Sequence, residues 1–143
     1  MKYLSIDINT KKVLHIGLIH AEDTITPTLP LIEVTDEEAD IIIDALNNGN
    51  EESIVNQYGL SEFKSRKILE IKDLAFQKLS DTDWKVIKYR DQIDASLEPD
   101  MSETEYLALL DERQNIRTQS NTYETQINAV TTKEELDAIT ITF

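Results

Sequence analysis

Twenty-eight carboxylates and two histidines are the groups in this chain best suited to chemistry, and there is no cysteine. Without thiols the chain can form no disulfide, no thiolate zinc site and no cysteine nucleophile. His15 and His20 lie in or just after a β-rich run, and their spacing is not that of a helical metal pair. Gly17, Gly49 and Gly59 form neither a phosphate loop nor a dinucleotide fingerprint. The serines are scattered, with no nucleophile elbow. Carboxylates are abundant enough for a paired-carboxylate hydrolase, but no pattern brings two of them together across a cleft. The densest acidic run, Thr35-Asp36-Glu37-Glu38, is better explained as a capping box. Its hydroxyl accepts from the N3 amide, its N3 glutamate returns the bond, and its charges suit the helix dipole. The residue types therefore predict a protein that is not an enzyme, with no catalytic, cofactor-binding or metal-ligating residue and no cofactor.

What remains is recognition chemistry. The sole tryptophan closes Ser80-Asp81-Thr82-Asp83-Trp84, where one charged helix is read to stop and another to start. Tryptophan and arginine dominate interface energetics, so Trp84 reads either as a partner anchor or as a core residue at a helix corner. In the second case, truncation to alanine would cost about 3–5 kcal/mol. Arg113 and Arg117 stand one turn apart on a long helical pattern. They could pair with a partner's carboxylates or with acids of the first helix.

The elements that must position these residues follow from the pattern along 143 residues, 40% hydrophobic and 29% charged. That is one domain, or two very small units sharing a core. The net charge of −14 argues against nucleic acid and anionic membranes and favours a basic partner. The start, Met1 to Asp7, does not read as a signal peptide, and no run approaches the roughly 20 apolar residues of a membrane span. Tyr3, Leu4, Ile6 and Ile8, then Val13, Leu14, Ile16, Leu18 and Ile19, flank the polar Asn9-Thr10-Lys11-Lys12 and predict a β-hairpin. Ala21 to Pro30 reads as an extended connector, and Leu31 to Val34 as a third short strand. A helix is predicted over 36–47, stopped by Asn48-Gly49-Asn50. Residues 51–59 read as a turn or linker, and a locally basic helix starts at Ser61.

The most regular pattern lies downstream. After the capping box Ser102-Glu103-Thr104-Glu105, the residues Tyr106, Leu109, Arg113, Ile116, Ser120, Tyr123, Ile127 and Val130 repeat at three and four. This heptad seam over 106–130 is filled either by the chain's own preceding helix or by a second copy, giving a homo-oligomer. Helices over about 84–97 and 103–129, joined by a loop containing Pro99, predict an antiparallel hairpin, with intrachain packing favoured by the short loop. A short helix from Thr131 and a strand over Ile139 to Phe143 close the chain. The expected class is α+β, with a β-rich unit carrying one helix over 1–59 and a coiled-coil-like hairpin with a C-terminal strand over 60–143. Trp84, Tyr106, Arg113, Ile116, Arg117, Tyr123 and Ile127 are the predicted partner-binding residues.

Thr82-Asp83-Trp84, followed by a helix with Arg113-Gln114 and Arg117, resembles the C-terminal half of the tail assembly chaperones (tail fibre assembly proteins) of tailed bacteriophages. The front half is similar to them too. A β-rich start and a connector with prolines lead into Glu33-Val34-Thr35-Asp36-Glu37-Glu38, which opens a helix ending at Asn48-Gly49. The Thr132 to Ile139 stretch recurs in related phage proteins. The resemblance spans most of the chain and rests on the order of these segments. The stretch from Trp84 to Arg113 is longer than in compact members, and Ile139 to Phe143 replaces the Trp-Pro-rich ending of many. The resemblance implies a non-enzymatic protein that binds a phage tail or tail-fibre polypeptide, in the host cytoplasm during assembly. The alternative is a permanent small component of the virion tail or neck.

Overall fold

The computed structural model describes residues 2–18 and 31–143. The expected connector over Ala21–Pro30, together with Ile19 and His20, lies outside them. The fold is α+β, with three strands and then five helices among the described residues. Contacts divide it into two units, Met1–Ser65 with Thr131–Ala138, and Arg66–Val130 with Ile139–Phe143.

In the first unit, β1 (Lys2–Asp7) lies between β2 (Lys12–Gly17) and β3 (Ile32–Val34), antiparallel to both. The hairpin turn needs no Asn-Gly pair. Asp7 Oδ1 accepts from the amides of Asn9 and Thr10 at 2.9 and 3.3 Å, and Lys11 takes the left-handed conformation at φ 55°. Leu4 and Ile6 alternate onto one face of β1, and Ile8 just after it joins them. They are buried with Val34, with Ala39 and Ile42 of α1 (Asp36–Asn47), and with Ile54 and Val55 of α2 (Glu51–Tyr58). The Thr35 capping box forms as the sequence requires: Thr35 Oγ1 accepts from the Glu38 amide, and Glu38 Oε2 from the Thr35 amide.

The expected linker over 51–59 is helical instead. Its polar look hides two adjacent apolar residues, Ile54 and Val55, which one helical face delivers to the core. Glu51 holds the front of α2 to β2, accepting from the Val13 amide at 2.9 Å and from Lys12 Nζ at 2.8 Å. Gly59 follows because nothing larger fits. A Cβ there would stand 2.6 Å from the Val55 carbonyl oxygen and 3.2 Å from Ile8 and Phe63 side chains. The short α5 (Lys133–Ala138) returns to this unit and buries Leu136, with Glu135 accepting from the Thr131 and Thr132 amides.

The predicted helix break at Ser80–Asp83 does not occur. One helix, α3, runs from Leu60 to Asp94. No proline or glycine interrupts it, and the would-be capping side chains bond elsewhere: the Thr82 hydroxyl donates back to the Leu79 carbonyl at 3.0 Å. The chain turns only after Asp94. Ser96 is left-handed at φ 58°, and Gln92 accepts from the Leu97 amide through its backbone and from the Asp100 amide through its side chain. Then α4 (Glu103–Ala129) begins with its own complete capping box at Ser102 and Glu105. Trp84 therefore sits roughly three turns before the end of α3, not at the hairpin root. The expected strand over 139–143 is absent as well. Those residues are held by Tyr123, whose hydroxyl accepts from the Thr142 amide at 3.0 Å while its ring meets Phe143 edge-on. A side chain, not a strand partner, takes up that backbone group. No helix among the described residues is long and apolar enough to cross a membrane.

Candidate partner-binding surface

Within the second unit, cross-helix partners descend along α3 as they ascend along α4. Tyr89 meets Tyr106, Asp83 meets Arg113, and Lys72 meets Glu124. The helices are thus antiparallel, and the heptad seam is closed by the chain itself. The Tyr89 and Tyr106 rings stack with centroids 3.9 Å apart and planes 11° apart. The Tyr106 hydroxyl accepts from Arg90 Nε at 3.1 Å, which raises the guanidinium pKa further. Farther along, Ala75 and Ser120 line a groove of about 330 Å³ rimmed by Phe76 and Arg117.

Four of the seven predicted partner-binding residues are consumed by this closure. Tyr106, Arg113, Ile116 and Ile127 are all buried. A residue that fills its own chain's seam has no surface left for a partner. Arg113 is the clearest case. Its Nη1 donates to the Leu79 carbonyl at 2.6 Å and to Thr82 Oγ1 at 2.5 Å, and its Nη2 to Asp83 Oδ1 at 2.6 Å. The polar interruption of the heptad is thus a clamp between α3 and α4. The Thr82-Asp83 pair, read from sequence as a cap, supplies two of its acceptors. Tyr123 is half-buried and occupied by the C-terminus, which lowers its hydroxyl pKa through the Thr142 bonds. Arg117 is exposed.

Trp84 is left, and it is 59% exposed, so it is not the core residue that the second alternative described. It separates two hollows at the turn end of the hairpin. One, of about 480 Å³, is lined by Trp84, Ile87, Ala95 and Leu97 with Lys88, Asp91 and Gln92 at its polar edge. The other, of about 160 Å³, lies between Trp84, Tyr89 and Met101, with Lys88 and Asp100 ion-paired beside it. Ile87 and Leu97 are as exposed as Trp84 itself. An indole between two hollows, flanked by exposed aliphatic side chains, can take a partner's apolar side chains on either face. Sequence reasoning missed Ile87 and Leu97 as members of this surface: it placed them with Trp84 on one helix over 84–97, and spacing alone does not say which of its apolar side chains the hairpin leaves in water.

A hollow of about 650 Å³ lies in the first unit between α2 and the front of α5. Its walls are side chains such as Asn50, Asn56, Gln57 and Thr132. Glu52, Ser53, Lys133 and Glu134 line it too, and no group of three or more His, Asp or Glu that could hold a metal occurs among the described residues. Ser5 and His15 face each other across β1 and β2, with Ser5 Oγ and His15 Nε2 buried and unbonded. Compared with family models, with curated proteins and with solved structures, the chain matches none.

Proposed function

We propose that this is a non-enzymatic assembly protein of a tailed bacteriophage, binding a tail or tail-fibre polypeptide through the surface around Trp84. The observation that carries the binding role is the exposure of the only tryptophan between two apolar hollows, beside the equally exposed Ile87 and Leu97. Leaving such a cluster in water is unfavourable unless something covers it. The tail or fibre identity of the partner rests on the order of segments along the chain, from the capped front helix to the Arg113 helix. The net charge of −14 favours a partner with basic residues around its apolar contact.

The test is co-purification. A tagged chain recovered from infected cells should bring down a tail or fibre polypeptide, and Trp84→Ala should lose it while keeping its circular dichroism and melting temperature. Recovery of the same polypeptide by the variant, or of no tail or fibre polypeptide by the parent, would refute the proposal. Counting copies in purified particles separates its two forms: an assembly chaperone is absent from them, and a permanent tail or neck component is present in stoichiometric amounts.

A further inference from the structure

The seam between α3 and α4 has one level that the chain does not fill. Ala75 of α3 and Ser120 of α4 lie between the Lys72–Glu124 and Asp83–Arg113 pairs. Both are small, and a groove of about 330 Å³ opens over them onto the flank of the hairpin. Unfilled space forfeits packing, so stability alone would favour a larger side chain at Ser120.

The charge of the groove runs against that of the chain. In a molecule of net charge −14, its charged lining residues are Lys72 and Arg117, with no carboxylate beside them. Lys72 is neutralised by Glu124 at 3.4 Å. Arg117 makes no hydrogen bond or ion pair with any described residue, whereas the other three arginines all have partners. One turn beyond the groove a carboxylate follows at either end, Asp83 after Leu79 and Glu124 after Ser120. Arg113 holds the first and Lys72 the second. Asp73 lies about 100° around α3 from Lys72, on the side away from α4. The Arg117 guanidinium is thus an uncompensated planar donor beside the apolar Ala75, Leu79 and Phe76.

We infer that this groove binds the C-terminal residue of a polypeptide whose last side chain is apolar. Arg117 pairs with the terminal carboxylate through its two-pronged fork. The apolar side chain enters over Ala75 and Leu79 against the exposed ring of Phe76. Asn121, one turn from Arg117 on the same flank, offers its side-chain amide to the last peptide bond. A terminal residue carries the carboxylate and the apolar group on one Cα, so a space of about 330 Å³ takes both. An internal aspartate or glutamate brings only the charge and needs a neighbour to cover the apolar floor. The groove shares no lining residue with the two hollows beside Trp84, so this inference stands apart from the role proposed for that tryptophan.

N-acetyl-leucine carries such a terminus, and a ligand of its size with ordinary efficiency per atom binds with a Kd of about 1–10 mM. Titrated into the isotope-labelled full chain, it should shift the magnetic resonance signals of the Asn121 side-chain amide and the Arg117 Nε–H. N-acetyl-leucinamide, which lacks the charge, should bind roughly tenfold more weakly. Arg117→Gln should lose about the same factor, which is the worth of a charge-assisted bond. Arg117 is exposed, so the circular dichroism of that variant should not change. Ser120→Leu should fill the groove, abolish binding and raise the melting temperature. Equal binding of acid and amide, or binding indifferent to Arg117→Gln, would overturn the inference. So would tighter binding of the α-amide of N-acetyl-glutamate, whose carboxylate sits on the side chain, or no shift at about 20 mM N-acetyl-leucine.

Discussion

Arg113 is the residue whose removal most directly tests how the hairpin is held. Arg113→Met keeps an unbranched apolar stem of similar reach and removes the guanidinium. Three bonds are then lost, but they are not equal. The one to Asp83 is an ion pair to a side chain that is 53% exposed, so water screens it and it contributes at most about 1 kcal/mol. The bonds to the Leu79 carbonyl and the Thr82 hydroxyl lie on the buried side and are charge-assisted, each contributing about 1.5–3 kcal/mol before desolvation is subtracted. Leu79 also accepts from the Thr82 hydroxyl, so the variant does not orphan that carbonyl. Burial of the guanidinium opposes the bonds, because most of its hydration is given up. The balance predicts that Arg113→Met lowers stability by about 1–3 kcal/mol. Asp83→Asn should lower it by less than about 1 kcal/mol.

Urea unfolding followed at 222 nm, with the slope compared between variants, measures both losses. The order matters more than the size. If Asp83→Asn costs as much as Arg113→Met, the clamp is an ion pair and the two neutral acceptors are incidental. If Arg113→Met is neutral or stabilising, as apolar replacements of buried charges can be, desolvation outweighs all three bonds. Either result refutes the reading of Arg113 as a clamp that works through neutral acceptors.

Further expectations concern the first unit, the acids and the tryptophan. Gly59→Ala should destabilise by about 1–3 kcal/mol through overpacking, since the new methyl meets the Val55 carbonyl oxygen, a backbone atom. Thermal unfolding of this single variant decides it, and an unchanged melting temperature would mean the α2–α3 junction has slack. Glu38, Glu51, Glu105 and Glu135 all have carboxyl pKa values below the ordinary range, because each accepts hydrogen bonds from backbone amides, side-chain donors or both when folded. A depressed folded pKa adds stability above the unfolded value of about 4.3, and that stability is lost as pH falls through the folded values. The melting temperature should therefore fall below about pH 4.3, and Glu51→Gln should flatten part of that fall. Trp84→Ala should change stability by only about 0.5 kcal/mol, as exposed substitutions do. The loss of several kcal/mol that a core tryptophan would bring is not expected, and chemical denaturation of the variant checks this.

The sequence-legible parts of this molecule are those governed by local rules. Both capping boxes, the 36–47 and 103–129 helices and the β-hairpin follow from residue types within a few positions of each other. The misread parts depend on distant partners. Ser80-Asp81-Thr82-Asp83 has the composition of a helix boundary, yet Thr82 and Asp83 are committed to an arginine thirty residues downstream. That commitment removes their value as caps and lets α3 continue. The heptad is visible in the sequence, but its polar position at Arg113 fits a partner's carboxylates as well as acids of the first helix. Only the paired helix reveals that the acceptors are internal. Residues 51–58 were passed over because two adjacent apolar residues give no periodicity, although they suffice to seat α2 on Leu4 and Ile6. Exposure was the least legible quantity of all. A sequence gives Trp84 as large and apolar, which argues for burial. It faces water here because the unbroken α3 turns Val86 and Tyr89 toward half-buried positions and leaves Trp84 and Ile87 outside. A partner surface on a helical hairpin is thus the remainder after the chain has filled its own seam. It can be found only by first working out which helical face that seam takes.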